Sequence, residues 1–166
     1  MGRFCARLAF ILCWFAVSCC TTGKTPSSNA DQKRPPVKPS PKIPNHSSGI
    51  AWLDSERLMP VLEVAQRQKK VVFVTFFAHW CAPCKVMEEE VFSQPTAYEF
   101  INQRFLAFRT DFDTQSGRTL SEIYEVSTLP TVLFLHPNGV VLARKTGMLT
   151  LTNLQMMGDS VLAKFK

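Results

Sequence analysis

Beyond residue 20 this 166-residue chain has only two cysteines, Cys81 and Cys84, because the other four of its six lie in the first twenty positions. A structural zinc site needs four strong ligands, and only His79 and His136 stand beside that pair after Gly49, so zinc is set aside. Haem attachment needs a histidine directly after the second cysteine of such a pair, and Lys85 occupies that place. Long apolar runs are also missing: the longest, Leu8 to Val17, is half of the ~20 residues that a membrane-spanning helix requires. From Gly49 onward there is no excess of either charge, with twelve basic and twelve acidic residues, so the formal net charge of +6 resides before that point. A nucleic-acid interface is excluded for this part, since nothing in it is set to meet phosphates. No internal repeat is visible.

What is present falls into three unlike segments. Residues 1–20 carry Arg3 and Arg7, then the apolar run, then Ser18, Cys19 and Cys20, which is the order of a secretory signal; an uncleaved anchor is the alternative. "AVSCC" resembles the cleavage box of bacterial lipoproteins, in which a cysteine is lipidated after processing. Cys19 is the favoured lipidation position and Cys20 the second, with ordinary cleavage after Ala16 and Ser18 as the remaining reading. Residues 21–48 hold six of the eleven prolines and almost nothing that could form a core. They read as a disordered or polyproline-like tether. Its charge of +4 suits a solvated linker or contact with an anionic membrane surface. The folded domain is then 49–166.

Within the domain, a short first strand is expected at Ile50 to Leu53. A helix from Leu58 to Gln68 should follow, capped by Asp54 or Ser55, with Pro60 in its first turn. "VVFVTFF", Val71 to Phe77, is too short for such a helix and too continuously apolar for an exposed strand, so it reads as a central strand buried on both faces. Helices are expected from Cys81 to Val91 and from Pro95 to Arg104, the second with Ser93 or Gln94 ahead of its first-turn proline. "FLAFRTDFD" supplies a strand and "GRTLSEIYEV" a short helix. "TVLFL" and "VVLAR" flank "HPNG", a hairpin signal because Asn138 and Gly139 tolerate positive φ. A last helix, capped by Thr150 or Thr152, places Leu151, Leu154, Val161, Leu162 and Phe165 at helical spacing for core packing. Strands alternating with helices, then a hairpin and a final helix, give an α/β fold: a mixed central sheet covered by helices on both faces.

The C-x-x-C pair then points to redox chemistry. A purely structural role is a poor fit, because so short a loop constrains the unfolded chain little. Residues three apart on a helix share a face, so a first-turn pair can close a disulfide and still present one sulfur to solvent. Cys81, where the strand ends and the helix begins, gains thiolate stabilisation from free N–H groups and the helix dipole. Cys84, one turn inside, is expected to be more shielded and suited to resolving a mixed disulfide. Pro83 fits the first turn without losing a hydrogen bond.

With "FFAHWCAPCK" after a buried strand and "STLPTVLFL" further on, the chain resembles the thioredoxin superfamily from about Ile50 to Lys166. "WCAPCKVMEEEVF", the polar insertion after that helix and "LPT" make it most similar to exported thioredoxin-like proteins related to the C-terminal domain of the DsbD thiol-disulfide interchange protein. The resemblance implies that Pro130 is a cis-proline packed beside the cysteines, and that Leu129 offers backbone hydrogen bonds to an extended substrate. Thr131 completes the motif. Trp80 is implied to shield the site, with core packing as its alternative, and Ala82 and Pro83 form the dipeptide between the cysteines. His79 and Lys85 read equally as solvated surface or as tuning groups. One position departs from the pattern: reducing relatives commonly carry a buried acid six places before the first cysteine, and Thr75 stands there. Proton transfer from Cys84 must then use another group or water.

The leading expectation is an exported, tethered, monomeric thiol-disulfide oxidoreductase that reduces protein disulfides. It would reside in the periplasm, lipid-anchored or free, and take electrons from a membrane partner of DsbD type. No cofactor or metal is expected beyond the reversible Cys81–Cys84 disulfide. Reduction is favoured because Ala82 and Pro83 include no histidine of the kind found in strongly oxidising relatives. Disulfide isomerase activity is the runner-up. Behind it stand a non-catalytic copper carrier, a client-binding module and an inert surface lipoprotein.

Overall fold

The computed structural model describes residues 49–165. The signal (1–20), the tether (21–48) and the lipidation candidates Cys19 and Cys20 lie outside the described residues. Within them the element order is α1 (Leu58–Gln68), β1 (Val72–Phe77), α2 (Ala82–Met87) running into a wide π-helical turn (Glu88–Phe92), α3 (Pro95–Arg104), β2 (Leu106–Asp111), α4 (Gln115–Ile123), β3 (Thr131–Leu135), β4 (Val141–Thr146) and α5 (Leu151–Lys164). The four strands form one sheet in the order β2-β1-β3-β4. β1 runs parallel to β2 and antiparallel to β3, and β3 pairs antiparallel with β4.

Strand parity divides the core. Val72, Val74 and Phe76 of β1 face α1, together with Leu106, Phe108, Leu133 and Leu135. The alternate residues Phe73, Ala107, Val132 and Phe134 face the opposite layer of α2, its π turn, α3 and α5. Five of the six β1 residues are buried, as a strand flanked on both edges and covered on both faces requires. The same parity puts Thr75 and Arg109 on the α2 face, and they are direct partners in the β1–β2 register. β1 therefore delivers the chain to the start of α2 with a threonine beneath that helix.

Several boundaries differ from the sequence expectation. Ile50 to Leu53 makes no strand, only an isolated parallel bridge from Trp52 to Ala107 with a 2.8 Å bond from Leu53 N–H to the Ala107 carbonyl. α1 is not side-chain capped by Asp54 or Ser55; its cap residue is Arg57, and the Ser55 hydroxyl bonds the Arg57 backbone instead. The helix expected from Cys81 to Val91 stops being α-helical at Met87 and widens into the π turn. α4 begins at Gln115, two residues before the expected start, because the Thr114 hydroxyl accepts the Gly117 N–H. In the hairpin only Gly139 has positive φ; Asn138 contributes its side chain, which accepts from Val140 N–H and meets His136 Nδ1 at 2.6 Å. Thr150, not Thr152, caps α5.

Candidate active site

α2 is organised from its first residue. Cys81 is the N-cap, extended at φ −77° and ψ 97°, and its Sγ accepts the Cys84 N–H at 3.2 Å. Pro83 lies in the first turn, where its missing N–H leaves no carbonyl unpaired. Cys81 and Cys84 are joined in a disulfide with Cα atoms 5.3 Å apart. Their burial does not follow expectation: Cys81 is 3% exposed and Cys84 7%, so Cys84 is not the more shielded residue in the oxidised state. The closed ring tucks both sulfurs between Ala78, Phe77, Phe112 and Leu129.

What separates the two cysteines is the space each faces. Cys81 lines an open groove of about 430 Å³ with Trp80, Ala82, Pro83, Phe112, Ser127, Thr128 and Leu129. Cys84 lines a different cavity of about 210 Å³, walled by Thr75, Phe77, His79, Lys85, Met87, Glu88, Phe92 and Arg109. Trp80 is 66% exposed, which removes the core-packing alternative. Its Nε1–H donates to Asp113 Oδ2 at 2.8 Å, laying the indole along the rim of the groove.

The opposite rim comes from the segment before β3. The Leu129–Pro130 peptide is cis, Pro130 is buried, and its carbonyl accepts Gly147 N–H at 2.8 Å. Leu129 packs against the cysteine pair, and its own N–H and carbonyl make no hydrogen bond among the described residues. The Thr131 hydroxyl is turned back to the Thr128 carbonyl at 2.7 Å, so it braces the loop and does not face the groove. The groove thus offers an apolar floor, one sulfur and one unpaired backbone unit.

Three acidic residues escaped the sequence reading. Asp113 anchors Trp80, and Asp111, half-buried, meets the exposed His79 Nε2 at 3.4 Å, a long contact that holds the loop before Cys81 loosely. Neither is legible without the β1–β2 pairing that brings the end of β2 beside that loop. Glu88 was legible, because it stands four residues after Cys84 and so shares its helical face; its N–H bonds to the Cys84 carbonyl. Glu88 is an exposed residue whose carboxyl is only partly desolvated; that partial desolvation pushes the carboxyl above its ordinary range, and the Arg109 guanidinium opposes the shift. Among the described residues no group of three or more His, Cys, Asp or Glu side chains is arranged to hold a metal ion.

Comparison with known proteins agrees with this geometry. The family model of the thioredoxin-like domain matches residues 60–162, more than half of the chain. The thiol:disulfide interchange protein DsbD of Pseudomonas fluorescens is 35% identical over 83 residues, which are 49% of this chain and only 14% of that protein. A thioredoxin of Mycoplasma genitalium is 33% identical over 98 residues, 59% of this chain and 89% of the relative. The solution structure of a thioredoxin from Thermus thermophilus superposes with a TM-score of 0.62 at 26% identity, covering 70% of this chain and 90% of that one. With its disulfide closed at the start of α2 and the cis peptide beside it, the chain belongs to the thioredoxin-like domain family.

Proposed function

We propose that the protein is an exported, tethered thiol-disulfide oxidoreductase that works as a reductant of protein disulfides. The observation that carries this reading is the division of labour around α2, with Cys81 on a groove open to a partner and Cys84 on a separate cavity behind it. In the reduced state the free N–H groups at the start of α2 stabilise a Cys81 thiolate. That thiolate attacks a substrate disulfide held along the groove, where the Leu129 backbone hydrogen-bonds an extended segment and Trp80, Ala82, Pro83 and Phe112 supply apolar contact. One substrate sulfur leaves as a thiolate and the other stays bonded to Cys81. Cys84 then attacks Sγ of Cys81, which releases the second substrate sulfur and closes the ring seen here.

Two electrons pass to the substrate in each cycle, so a dithiol donor must reopen Cys81–Cys84. A membrane redox partner of DsbD type is the proposed donor, supported by the similarity to part of DsbD. Export by the signal at 1–20, attachment through Cys19 or Cys20 and a periplasmic working place complete the proposal, with the tether at 21–48 giving the domain reach. Ala82 and Pro83 favour the reducing direction, since they add no cationic donor to hold the thiolate. The test is the reduction potential of the pair, together with insulin reduction and rescue of scrambled ribonuclease. A potential near that of thioredoxin, about −270 mV, with fast insulin reduction is expected. A potential near that of protein disulfide isomerase, about −180 mV, with efficient rescue and slow reduction would assign an isomerase instead.

A further inference from the structure

The end of the sheet remote from the cysteines carries a charge pattern that the redox cycle does not use. In the strand register Phe76 and Phe77 stand opposite Thr131 and Asp111 at the end that feeds α2, whereas Val72 stands opposite Leu106 and Leu135 at the other. Arg67, Lys69 and Lys70 lie where α1 passes into β1, and Arg104 where α3 passes into β2, so all four are at that second end. α5 leaves β4 at the site end and runs back for 14 residues, about 21 Å, to Lys164. The Phe165 ring meets that of His136, which directly follows β3, and this sets the end of α5 beside the others. Of the acids nearest this end, Asp159 pairs with Arg104, and Glu63 and Glu99 stand more than a turn back along α1 and α3. Among the described residues Arg67, Lys69, Lys70 and Lys164 have no ion-pair partner. Lys70 donates to the Gln103 carbonyl and keeps its charge, and the other three are exposed. Around the site, by contrast, Lys85, Arg109 and Arg118 are interleaved with Glu88, Asp111 and Asp113. A domain without net charge is therefore polarised, with its uncompensated cations gathered at one end. A second observation concerns what approaches that end. Asn102, in the last turn of α3, donates from Nδ2 to the Gly49 carbonyl at 2.9 Å and accepts the Ala51 N–H at 2.8 Å, so the described chain enters the domain there.

Resting on the membrane attachment proposed above, we propose that the end formed by Arg67, Lys69, Lys70 and Lys164 is a docking surface for the anionic phospholipid headgroups of the membrane that holds the chain, and that it turns the Cys81 groove toward the aqueous side. Attachment through the segment before Gly49 brings this end, and not the groove, nearest the bilayer. Cations on long side chains gain there from the negative surface potential, each raising affinity several fold while it lies within a Debye length of about 8 Å. Spread over the ends of α1 and α5, they match a charged surface and not a single small anion. The contact is weak and screened by salt, so the domain also lifts and turns its groove to a donor in the same membrane.

The test uses the full chain, purified from membranes and added to preformed vesicles of phosphatidylcholine with or without phosphatidylglycerol. Lysines are labelled by a short pulse of an amine-reactive ester and mapped by mass spectrometry. Lys69, Lys70 and Lys164 should label about fivefold or more slowly on the anionic vesicles than on the neutral ones, and should recover at about 0.5 M salt. Lys85, beside the cysteines, should label equally on both. A chain carrying Arg67→Gln, Lys69→Gln and Lys164→Gln should lose the protection of Lys70, with its melting temperature and its insulin reduction in solution unchanged. Equal labelling of the remote lysines on the two vesicles would overturn the inference, and the wild-type comparison decides this even where the variant fails to fold. Protection of Lys85 along with them would overturn the orientation, and protection confined to Lys33, Lys38 and Lys42 would leave the contact to the tether alone. Protection by polyglutamate in solution stronger than by the anionic vesicles would assign the surface to an acidic protein instead. A chain that associates with neither vesicle defeats the attachment reading together with this one, whereas attachment to both with equal labelling defeats only this one.

Discussion

Cys81 and Cys84 differ little in exposure and entirely in what they face. In the reduced protein Cys81, on the groove and at the helix start, is expected to be alkylated by iodoacetamide well before Cys84, as peptide mapping after a short pulse at neutral pH would show. Equal labelling, with both thiols titrating near the free-cysteine value of about 8.5, would undo the assignment of nucleophile and resolving thiol. Glu88 carries a stability prediction of its own. Its folded pKa is raised above the ordinary 4.5, so the folded chain holds that proton more tightly than the unfolded chain does. The resulting stabilisation is complete below 4.5 and is lost as pH rises through the folded value. Glu88→Gln removes this dependence, so its melting temperature relative to wild type should be higher at pH 7 than at pH 4. A constant difference across that range would show that Glu88 is not desolvated.

At the scale of elements, the site depends on how closely helices approach the strand ends. Gly117 sits where α4 meets the end of β2, and a Cβ there would lie 1.8 Å from the Asp111 carbonyl oxygen. Backbone cannot yield as a side chain does. Gly117→Ala should therefore destabilise the fold by about 3 kcal/mol or more, against a helix-propensity gain of about 1 kcal/mol. Because Asp111 and Asp113 flank this contact and hold His79 and Trp80, the same variant should also alter Trp80 fluorescence in the folded state. A Cβ added at Gly158 in α5 would lie 2.6 Å from the Phe100 ring, a side-chain neighbour rather than backbone. Gly158→Ala should be much milder, with a net loss of about 1 kcal/mol. Urea denaturation of the two variants would check the order, and equal losses would contradict it.

For the whole molecule the proposed cycle predicts covalent partners. Cys84→Ala keeps the nucleophile and removes the resolving thiol, so substrates should accumulate as mixed disulfides, visible on diagonal gels of the expressing cell. Trapping by Cys81→Ala and none by Cys84→Ala would exchange the roles. No helix among the described residues is long and apolar enough to cross a membrane; the proposed membrane attachment is placed on the segment before residue 49. The full chain, expressed in a bacterium, should partition into detergent with its membranes, and Cys19→Ala, or the Cys19→Ala, Cys20→Ala pair, should release it. Partition unaffected by the pair would favour an uncleaved anchor over a lipid.

Much of the fold was written locally in the chain. The continuous apolar run of β1, the first-turn prolines of α2 and α3 and the glycine of the hairpin each act through neighbouring residues, so length, period and φ preference were enough to place them. The cysteine proposed as nucleophile was legible for the same reason, since a cysteine at a strand-to-helix junction is a local arrangement. Pairing decided the rest. Only the tertiary structure shows that Ile50 to Leu53 is held by one bridge to β2 and that Asp113, 33 residues after Trp80, anchors the indole. It alone puts the two bonded cysteines on opposite spaces, and it alone brings Thr75, Glu88 and Arg109 around one cavity. Those three lie on β1, the π turn and β2. Nothing in their sequence spacing sets that distance, which comes from strand parity and from the layer of helix packed on that face of the sheet.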